Sequence, residues 1–368
     1  MGMISIRVAI IGAGLSGLSC AHELKLHGID PVIFEEKSMI GEILDYQNIL
    51  FNMFNFPQYG DSLKFLKKKY NLDIKHQFRI REISITAPNR KVYTARGNLG
   101  YIMKRGTARD SVENQLIRAA DVPVRFNTYV EIENITDEFD HIVVATGTDI
   151  IPKKFNIFST TFNGFVRIAN VLGEFKTGSV RMWFNSEYSK NAYAYLIPYS
   201  SKAARLILIV NGITHEELDV YWKKFLEEEK ITYYITEARD REHNVGFVDP
   251  VQVGKVYFVG NAGGFIDDLF GFGSAKAEIS GVTAARAIIR SGDYDRMIKP
   301  FKDDFRKKHE FRTVMNTWSN DEVSRALAFL HFPIIKQFIY NNPLFKLTHT
   351  TFIAKAHNFM WRKNKKQS

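Results

Sequence analysis

Hydrophobic positions at the start of the chain form two short apolar runs separated by a helical stretch. Arg7–Ile11 ends in four apolar residues and has the length of a buried strand. An apolar, helix-forming segment over Leu18–Leu26 stops at Gly28, and Asp30–Phe34 indicates a second strand. This order of strand, helix and strand predicts a parallel α/β unit.

Two further apolar runs suggest that the same sheet continues much later in the chain. His141–Gly147 is a predicted buried strand that ends in a turn of small residues, and Val256–Val259 is another. A helix with apolar residues at helical spacing is predicted from Ser274 onward. The predicted α/β domain is therefore discontinuous in sequence.

The link between the first strand and helix has the pattern G-x-G-x-x-G, with Gly12, Gly14 and Gly17 as its glycines. Gly12 permits the tight turn, Gly14 lets a pyrophosphate approach the backbone, and Gly17 lets helix and strand pack closely. The helix N-terminus offers free N–H groups to phosphate. Glu35 follows the second strand, where its carboxylate can accept hydrogen bonds from both ribose hydroxyls of an adenosine. The pattern predicts dinucleotide binding without choosing between NAD and FAD.

A second glycine-rich segment favours the longer of these two ligands. Gly260–Gly264 follows the late strand, and Gly271-Phe272-Gly273 precedes the helix that begins at Ser274. A second helix N-terminus is not needed for an adenine nucleotide alone. Its dipole can stabilise negative charge on the pyrimidine side of a reduced isoalloxazine ring.

These segments together resemble the FAD-binding fold of the para-hydroxybenzoate hydroxylase superfamily, and within it the geranylgeranyl reductase-like branch. That branch has the pattern G-D-A-A-G-F-x-D-P-x-x-G-x-G-I, which Gly260–Ser274 matches in most positions. Its Ala-Thr-Gly is present at Ala145–Gly147, and its Arg-x-x-Phe-Asp-x-x-Leu is loosely matched by Arg109–Leu116. Tyr193–Pro198 is similar to its Tyr-x-Trp-x-Phe-Pro.

The resemblance implies FAD as cofactor and a flavin-holding role for Arg109. Asn261 replaces the aspartate that binds the ribityl chain in the family, and an amide can still donate and accept hydrogen bonds. Asp268 replaces a proline, and we expect its carboxylate near the flavin ring, where it would disfavour the reduced anion. The predicted FAD-binding residues are Gly12, Ala13, Gly14, Leu15, Ser16, Gly17, Glu35, Glu36, Arg109, Ala145, Gly147, Gly260, Asn261, Gly271, Gly273 and Ser274.

The predicted architecture is α/β: a Rossmann-like FAD-binding domain, an inserted mixed β-sheet substrate domain and a helical C-terminus. The FAD-binding domain is expected over 1–75, 98–160 and 250–295. The substrate domain is expected over 76–97 and 161–249, and a helical region rich in basic and aromatic residues over 296–368. Within the insert, the predicted strands are Ser179–Asn185, Ala192–Ile197, Arg205–Val210 and Ile231–Ile235, with a charged helix over His215–Lys230.

Alternation in the insert places Tyr193, Tyr195 and Ile197 on one face of a strand. One interpretation makes this face the wall of a substrate pocket above the flavin. The other makes it part of a sheet core, where half-buried tyrosines are common without a ligand. No residue stands out as a catalytic acid or base.

The charge of the chain is concentrated at its C-terminal end. The net charge is +10 for 368 residues, and after Glu322 there are eight Lys or Arg and no Asp or Glu. Eight aromatic residues lie in the same stretch. Such a segment favours an anionic membrane surface, although a helical lid over the substrate domain with a solvated basic end fits equally well. No fold typical of nucleic-acid binding is recognised.

Other features narrow the class of protein. No apolar run has the length of a transmembrane helix, and the His residues have no metal-binding spacing. The single cysteine, Cys20, excludes an intrachain disulfide and favours a reducing, cytoplasmic location, with peripheral membrane association through the C-terminal region. No second complete G-x-G-x-x-G is present for a nicotinamide domain. The electron donor therefore stays open between transiently bound NAD(P)H and a reduced protein carrier.

The predicted function is FAD-dependent oxidoreduction of a small lipophilic substrate. The resemblance favours reduction of carbon–carbon double bonds in an isoprenoid chain. Two alternatives remain: a flavin-dependent monooxygenase that hydroxylates an aromatic or lipid substrate, and a flavin-binding protein without catalysis.

Overall fold

The computed structural model describes residues 6–42, 46–52 and 60–332. The first of its two sheets has six strands in the order β13-β14-β7-β1-β2-β6. All neighbouring strands are parallel except the pair β13–β14. The strands are β1 (Val8–Ile11), β2 (Val32–Phe34), β6 (Val124–Arg125), β7 (His141–Val144), β13 (Gln252–Val253) and β14 (Val256–Phe258).

The central strands of this sheet are fully buried because helices cover its faces. Ala9 in β1 lies opposite both Val32 and Ile142, so the early and late segments of the chain meet here. The covering helices include α1 (Leu15–Leu26), α3 (Val112–Ala120) and α8 (Ser274–Ile289), and α1 packs along α8. The glycine-rich segments that begin at Gly12 and Gly260 follow the carboxyl ends of β1 and β14. This edge is the one at which parallel sheets bind ligands.

The second sheet has eight strands in the order β12-β8-β11-β10-β9-β4-β5-β3. It is antiparallel apart from the pair β4–β9, which makes it a mixed sheet. One face packs toward the first domain, and Leu218, Trp222 and Phe225 cover the other. Its strands are β3 (Tyr46–Phe51), β4 (Phe78–Thr86), β5 (Val92–Arg105), β8 (Phe158–Leu172), β9 (Ser179–Trp183), β10 (Ala194–Pro198), β11 (Ala203–Asn211) and β12 (Tyr234–Val248).

The remaining helices lie between strands or follow the second sheet. Two helices close the described part of the chain, and the longer one contains Pro300. Residues 333–368, about half of the predicted basic and aromatic region, lie outside the described residues. The helices are α2 (Ser62–Tyr70), α4 (Ile132–Ile135), α5 (Ile150–Lys154), α6 (Ser186–Ser189), α7 (Leu218–Glu228), α9 (Tyr294–Met315) and α10 (Asn320–Leu330).

The α/β class and the mixed second sheet are as predicted, but several boundaries differ. The strand predicted over Ile231–Ile235 was wrong in extent, because β12 starts at Tyr234 and pairs with β8 as far as Val248. The second sheet also takes β3 from the segment before residue 76, and β5 runs on to Arg105. Pairing between distant strands sets these limits, and local pattern does not reveal it.

Candidate functional site

The first glycine-rich turn leaves an open cradle beside the N-terminus of α1. Gly12 has φ +106°, and a Cβ on it would lie 2.5 Å from the Ala145 carbonyl oxygen. A Cβ on Gly14 would meet no heavy atom within 4 Å, so the space beside it is open to the cavity. The helix has neither a capping side chain nor an acidic residue in its first turn. Its N–H groups therefore remain available to an anion such as pyrophosphate.

Glu35 is fixed at the end of β2 by two backbone donors. Its Oε2 accepts from the amide of Ala13 at 2.7 Å, and its Oε1 accepts from the amide of Lys37 at 2.9 Å. Each carboxylate oxygen has a second lone pair, so the group can still accept from ribose hydroxyls. Glu36 also borders the cavity, at its exposed rim, where it pairs with Lys37.

A second wall of the same cleft comes from the turns after β7 and β14. Ala145, Gly147, Gly260 and Asn261 all border the cavity. The side-chain amide of Asn261 donates to the carbonyl oxygen of Gly147 at 2.9 Å and so ties the two turns together. Its side-chain oxygen takes no part in this contact and keeps its capacity to accept a hydrogen bond.

The second glycine-rich turn brings another uncapped helix N-terminus to the cavity. Gly271 has φ +68°, and α8 begins at Ser274 without a capping side chain or an acidic residue in its first turn. Asn48 in β3 donates from Nδ2 to Ser274 Oγ. The buried Oδ1 of Asn48 has no hydrogen-bond partner among the described residues. An unfilled buried acceptor on the cavity wall suits a ligand that donates a hydrogen bond.

The cavity joins this cleft to one face of the second sheet and has a volume of about 620 Å³. Tyr193 and Tyr195 border it, with ring centroids 5.7 Å apart, and the Tyr193 hydroxyl donates to the Phe270 carbonyl oxygen at 2.5 Å. The apolar residues of this part are Val166, Ile168, Met182, Ile207, Ile209, Ile266, Phe270 and Phe272.

Three of the residues predicted for the site do not border the cavity. Gly17 lies behind the turn, where a Cβ would be 3.2 Å from the Ile10 side chain, as its predicted packing role requires. Ile197 is buried in the same apolar cluster as Tyr193 and Tyr195 but farther along the strand. Arg109 is exposed, and its carbonyl oxygen accepts a hydrogen bond from Arg118 Nη1 at 2.8 Å.

Arg105 takes the position at the cavity that was predicted for Arg109. It ends strand β5 and pairs with Glu113 of α3 at 2.5 Å, while its Nη1 donates to the Tyr46 hydroxyl at 3.1 Å. The motif placed the arginine by its spacing to α3, whereas the strand continues to Arg105 and places that side chain inward. Asn48 and Tyr46 were not predicted as site residues, because β3 has no glycine motif that would indicate them.

The structure also corrects the expected place of Asp268. Its carboxylate does not border the cavity; it lies against α9, where its Oδ2 meets His309 Nδ1 at 2.5 Å. Next to it, the buried Asp267 pairs with Lys276 at 3.0 Å and lies 3.9 Å from Lys308. Burial raises the pKa of Asp267, but the two lysines more than offset this, and the pKa lies below its usual value. Asp267 is therefore held by buried lysines and Asp268 by His309, and neither carboxylate borders the cavity.

The described residues contain neither a metal-binding cluster nor a membrane-spanning helix. Within them, no group of three or more His, Cys, Asp or Glu side chains is placed to hold a metal ion. Cys20 is buried in α1, and burial raises the pKa of its thiol, as expected for a packing residue. No helix in the described part of the chain is long and apolar enough to cross a membrane.

Comparisons with known proteins agree with this geometry. A model of the NAD(P)-binding Rossmann-like domain matches residues 10–55. A geranylgeranyl bacteriochlorophyll reductase-like protein from Thermoplasma acidophilum superposes with a TM-score of 0.70 at 14% identity, over 95% of this chain and 96% of that one. The flavin-dependent halogenase CmlS gives 0.62 at 16% identity, over 98% and 78%.

A third solved structure, 2-methyl-3-hydroxypyridine-5-carboxylic acid oxygenase, gives a TM-score of 0.54 at 16% identity, over 93% of this chain and 98% of that one. Comparison with curated protein sequences gives no match. The chain therefore has the fold of the FAD-dependent oxidoreductases related to para-hydroxybenzoate hydroxylase. The open space at Gly14, the unfilled Asn48 oxygen and the two uncapped helices fit FAD.

Proposed function

We propose that the protein is an FAD-dependent oxidoreductase that reduces carbon–carbon double bonds of a lipophilic, isoprenoid substrate. The observation that carries the proposal is the continuity of the cavity. One end has the glycine turns and helix N-termini that suit a dinucleotide, and the other is lined by aliphatic and aromatic side chains. A bound apolar molecule would lie directly beside the flavin.

Different residues of the cleft would bind different parts of FAD. The N-terminus of α1 and the backbone at Gly14 would bind the pyrophosphate, and Glu35 would bind the adenosine ribose. Asn261 and Asn48 would contact the ribityl chain or the ring, and the N-terminus of α8 would stabilise negative charge on the ring. FAD, when bound, supplies a carrier for two electrons and a proton.

The second sheet contributes an environment for the substrate rather than a reactive group. Ile168 and Ile207 of this sheet, together with Phe272 of the glycine-rich turn, present apolar surface that would exclude water from the reacting atoms. Tyr193 is fixed by its hydrogen bond to the Phe270 carbonyl oxygen, so its ring is a rigid part of the wall. The aliphatic and aromatic part of this wall suits an alkene, which needs no hydrogen bonds, and so favours reduction of a hydrocarbon chain.

The choice of an isoprenoid is supported by the Tyr193–Pro198 motif and by the reductase-like neighbour. The test begins with the flavin: denatured protein is chromatographed, and FAD is expected. The reduced protein is then mixed without oxygen with geranylgeraniol, and products are analysed by mass spectrometry. A product with added pairs of hydrogen atoms supports the proposal, and recovery of unchanged substrate alongside fully reduced flavin contradicts it.

Hydroxylation is the second candidate, because an oxygenase shares the fold over most of both chains. The same reduced protein is mixed with oxygen and either geranylgeraniol or a phenol. A product with one added oxygen atom would favour this candidate over reduction. Reoxidation by oxygen without an oxygenated product, together with unreacted substrate in the absence of oxygen, would favour a flavin-binding protein that does not catalyse either reaction.

We also propose that the C-terminal segment binds anionic membrane surfaces and so gives access to a substrate dissolved in lipid. The support is compositional: eight cations, no anions and eight aromatic residues follow Glu322. In a flotation experiment at low salt, full-length protein should float with anionic vesicles and a version ending at Phe359 should float less. Equal flotation of both versions, or none, would contradict the proposal.

A further inference from the structure

A histidine with unfilled hydrogen-bonding capacity lies on the cavity wall. His243 belongs to β12, the edge strand of the second sheet, and its side chain borders the cavity. No hydrogen bond or ion pair of its imidazole ring is found among the described residues. Other histidines, such as His22, His215 and His309, contact a backbone carbonyl or a carboxylate.

The imidazole lies beside the second glycine-rich turn. A Cβ placed on Gly271 would be 3.3 Å from His243 Nε2, so this nitrogen is close to the turn that leads into α8. On another side the ring meets Phe162, with centroids 5.6 Å apart in an edge-to-face arrangement. The ring is therefore held between an aromatic side chain and a backbone turn, and it borders the cavity beside that turn.

The imidazole is neutral at physiological pH. Burial lowers its pKa to about 4, and the nearby charge of Arg241 acts in the same direction. A neutral imidazole has one N–H donor and one acceptor nitrogen, whichever tautomer is present. In an apolar chamber, such a group is stabilised by a ligand that completes its hydrogen bonds.

Neighbouring polar groups are less suited to this role. The Tyr193 hydroxyl already donates to the Phe270 carbonyl oxygen. Arg241 is exposed, and Glu242 accepts a hydrogen bond from Asn244. His243 thus combines an unfilled ring nitrogen with a fixed position beside the turn.

We propose that His243 forms a hydrogen bond with an oxygen of the substrate, which makes the substrate an apolar molecule that has a hydroxyl or carbonyl group near its reacting end. This inference rests on the proposed function, because it assigns a substrate to the same cavity. His243 is a residue that positions the substrate and determines its specificity; no proton transfer is required of it.

The experiment compares two pairs of probes that differ only in an oxygen. One pair is farnesol and the hydrocarbon in which hydrogen replaces its hydroxyl, and the other is 1-naphthol and naphthalene. Binding to the FAD-loaded, full-length protein is followed by the change in the flavin absorption spectrum. Each alcohol should bind about tenfold more tightly than its hydrocarbon, the range expected for one hydrogen bond.

Two variants and a matched control assign this difference to the imidazole. His243→Phe should weaken binding of the alcohols about tenfold while the hydrocarbons bind as before. His243→Gln retains an amide donor and should keep part of the preference. His215→Gln is the control, because His215 lies outside the cavity and pairs with Asp240. This control should bind all four probes like the wild type.

A second readout uses the wild-type protein alone, in case the Phe variant does not fold or retain FAD. Nitrogen-15 spectra of histidine-labelled protein report the hydrogen bonding of each imidazole. The resonance assigned to His243 should show a neutral ring at pH 7 and should shift when an alcohol is added, but not when its hydrocarbon is added. An unchanged resonance with bound alcohol would overturn the inference.

The outcomes separate this inference from the proposed function. If only the naphthol pair binds and prefers the alcohol, the role of His243 stands and the isoprenoid substrate is contradicted. If the farnesol pair binds without a preference for the alcohol, the inference fails while an isoprenoid substrate remains supported. Preference that persists in His243→Phe also overturns the inference, and failure of all four probes to bind overturns both.

Discussion

The turns at Gly12 and Gly271 each lead into a helix without a capping side chain, but different contacts hold them in place. The first is held by its own neighbourhood: the Gly12 amide donates to the Phe34 carbonyl oxygen at 2.8 Å, and Gly17 packs against Ile10. The second is held from outside by α9, through the pairs Asp267–Lys308 and Asp268–His309. One turn is held by close backbone packing, which includes the Ala145 carbonyl oxygen, and the other depends on a helix whose His309 lies 41 residues after Asp268.

The difference matters for how each turn responds to change. Close packing of backbone on backbone leaves the first turn little freedom to adopt another shape. Buried ions hold the second turn only while each charge keeps its partner, since an unpaired buried charge is strongly destabilising. Arg312 adds to this dependence, because its Nη1 donates to the Leu269 carbonyl oxygen while its Nη2 has no hydrogen-bond partner among the described residues.

The largest expected effect is on the first turn. Gly14→Val should abolish FAD binding while the protein still folds, because the new side chain enters the open space where pyrophosphate would lie. The measurement is FAD content after purification in excess FAD, with circular dichroism to show folding. Leu26→Ala, at an exposed position of the same helix, is the matched control. A folded Gly14→Val protein with full flavin would contradict the role of the turn.

A smaller but still large effect is expected at the second turn. Asp267→Ala leaves Lys276 and Lys308 buried without their shared anion, which should lower the free energy of unfolding by about 3–5 kcal/mol. Urea denaturation of the FAD-free protein measures this. The matched control is Asp303→Ala, which removes an exposed ion pair of α9 and should leave the denaturation midpoint unchanged. Equal midpoints for both variants would show that the buried ions do not hold the turn.

How well the sequence predicts each turn depends on how far apart along the chain its contacting residues lie. The first turn, its flanking strands and Glu35 lie within about thirty residues, so spacing alone indicates their arrangement. Asp268 was misplaced because His309, its partner, is on a helix whose docking has no local signal. Arg109 was predicted at the cavity, and Arg105 was not, because the end of strand β5 depends on pairing with the distant strand β3. Residues fixed by long-range contacts are those that sequence reasoning missed.

The buried carboxyl group of Glu278, in α8, should also make stability depend on pH. Burial raises the pKa of Glu278 to about 8, although Arg105 opposes this shift. The folded protein thus holds a proton that the unfolded chain releases near pH 4.5. Stability from this group is complete below pH 4.5 and is lost as pH rises through 8, at up to about 1.4 kcal/mol per pH unit.

Glu278→Gln tests this dependence, because glutamine is neutral at every pH. The variant should match the wild type at pH 5 and be more stable than it at pH 9, with a flatter unfolding profile in between. Chemical denaturation across this range provides the measurement. Parallel pH profiles for the two proteins would show that Glu278 is not buried as a neutral acid. The control is Glu237→Gln, on an exposed part of β12, whose profile should follow the wild type.

The smallest expected effect separates the two ion pairs that join α9 to the second turn. His309 is partly exposed, so solvent weakens its interaction with Asp268 relative to that of the buried Asp267 with its lysines. His309→Gln should therefore lower the free energy of unfolding by about 1 kcal/mol and leave FAD content unchanged. A double-mutant cycle of His309→Ala with Asp268→Ala measures the coupling between the two side chains. Coupling as large as the loss in Asp267→Ala would mean that the exposed pair, and not the buried ions, fixes the turn against α9.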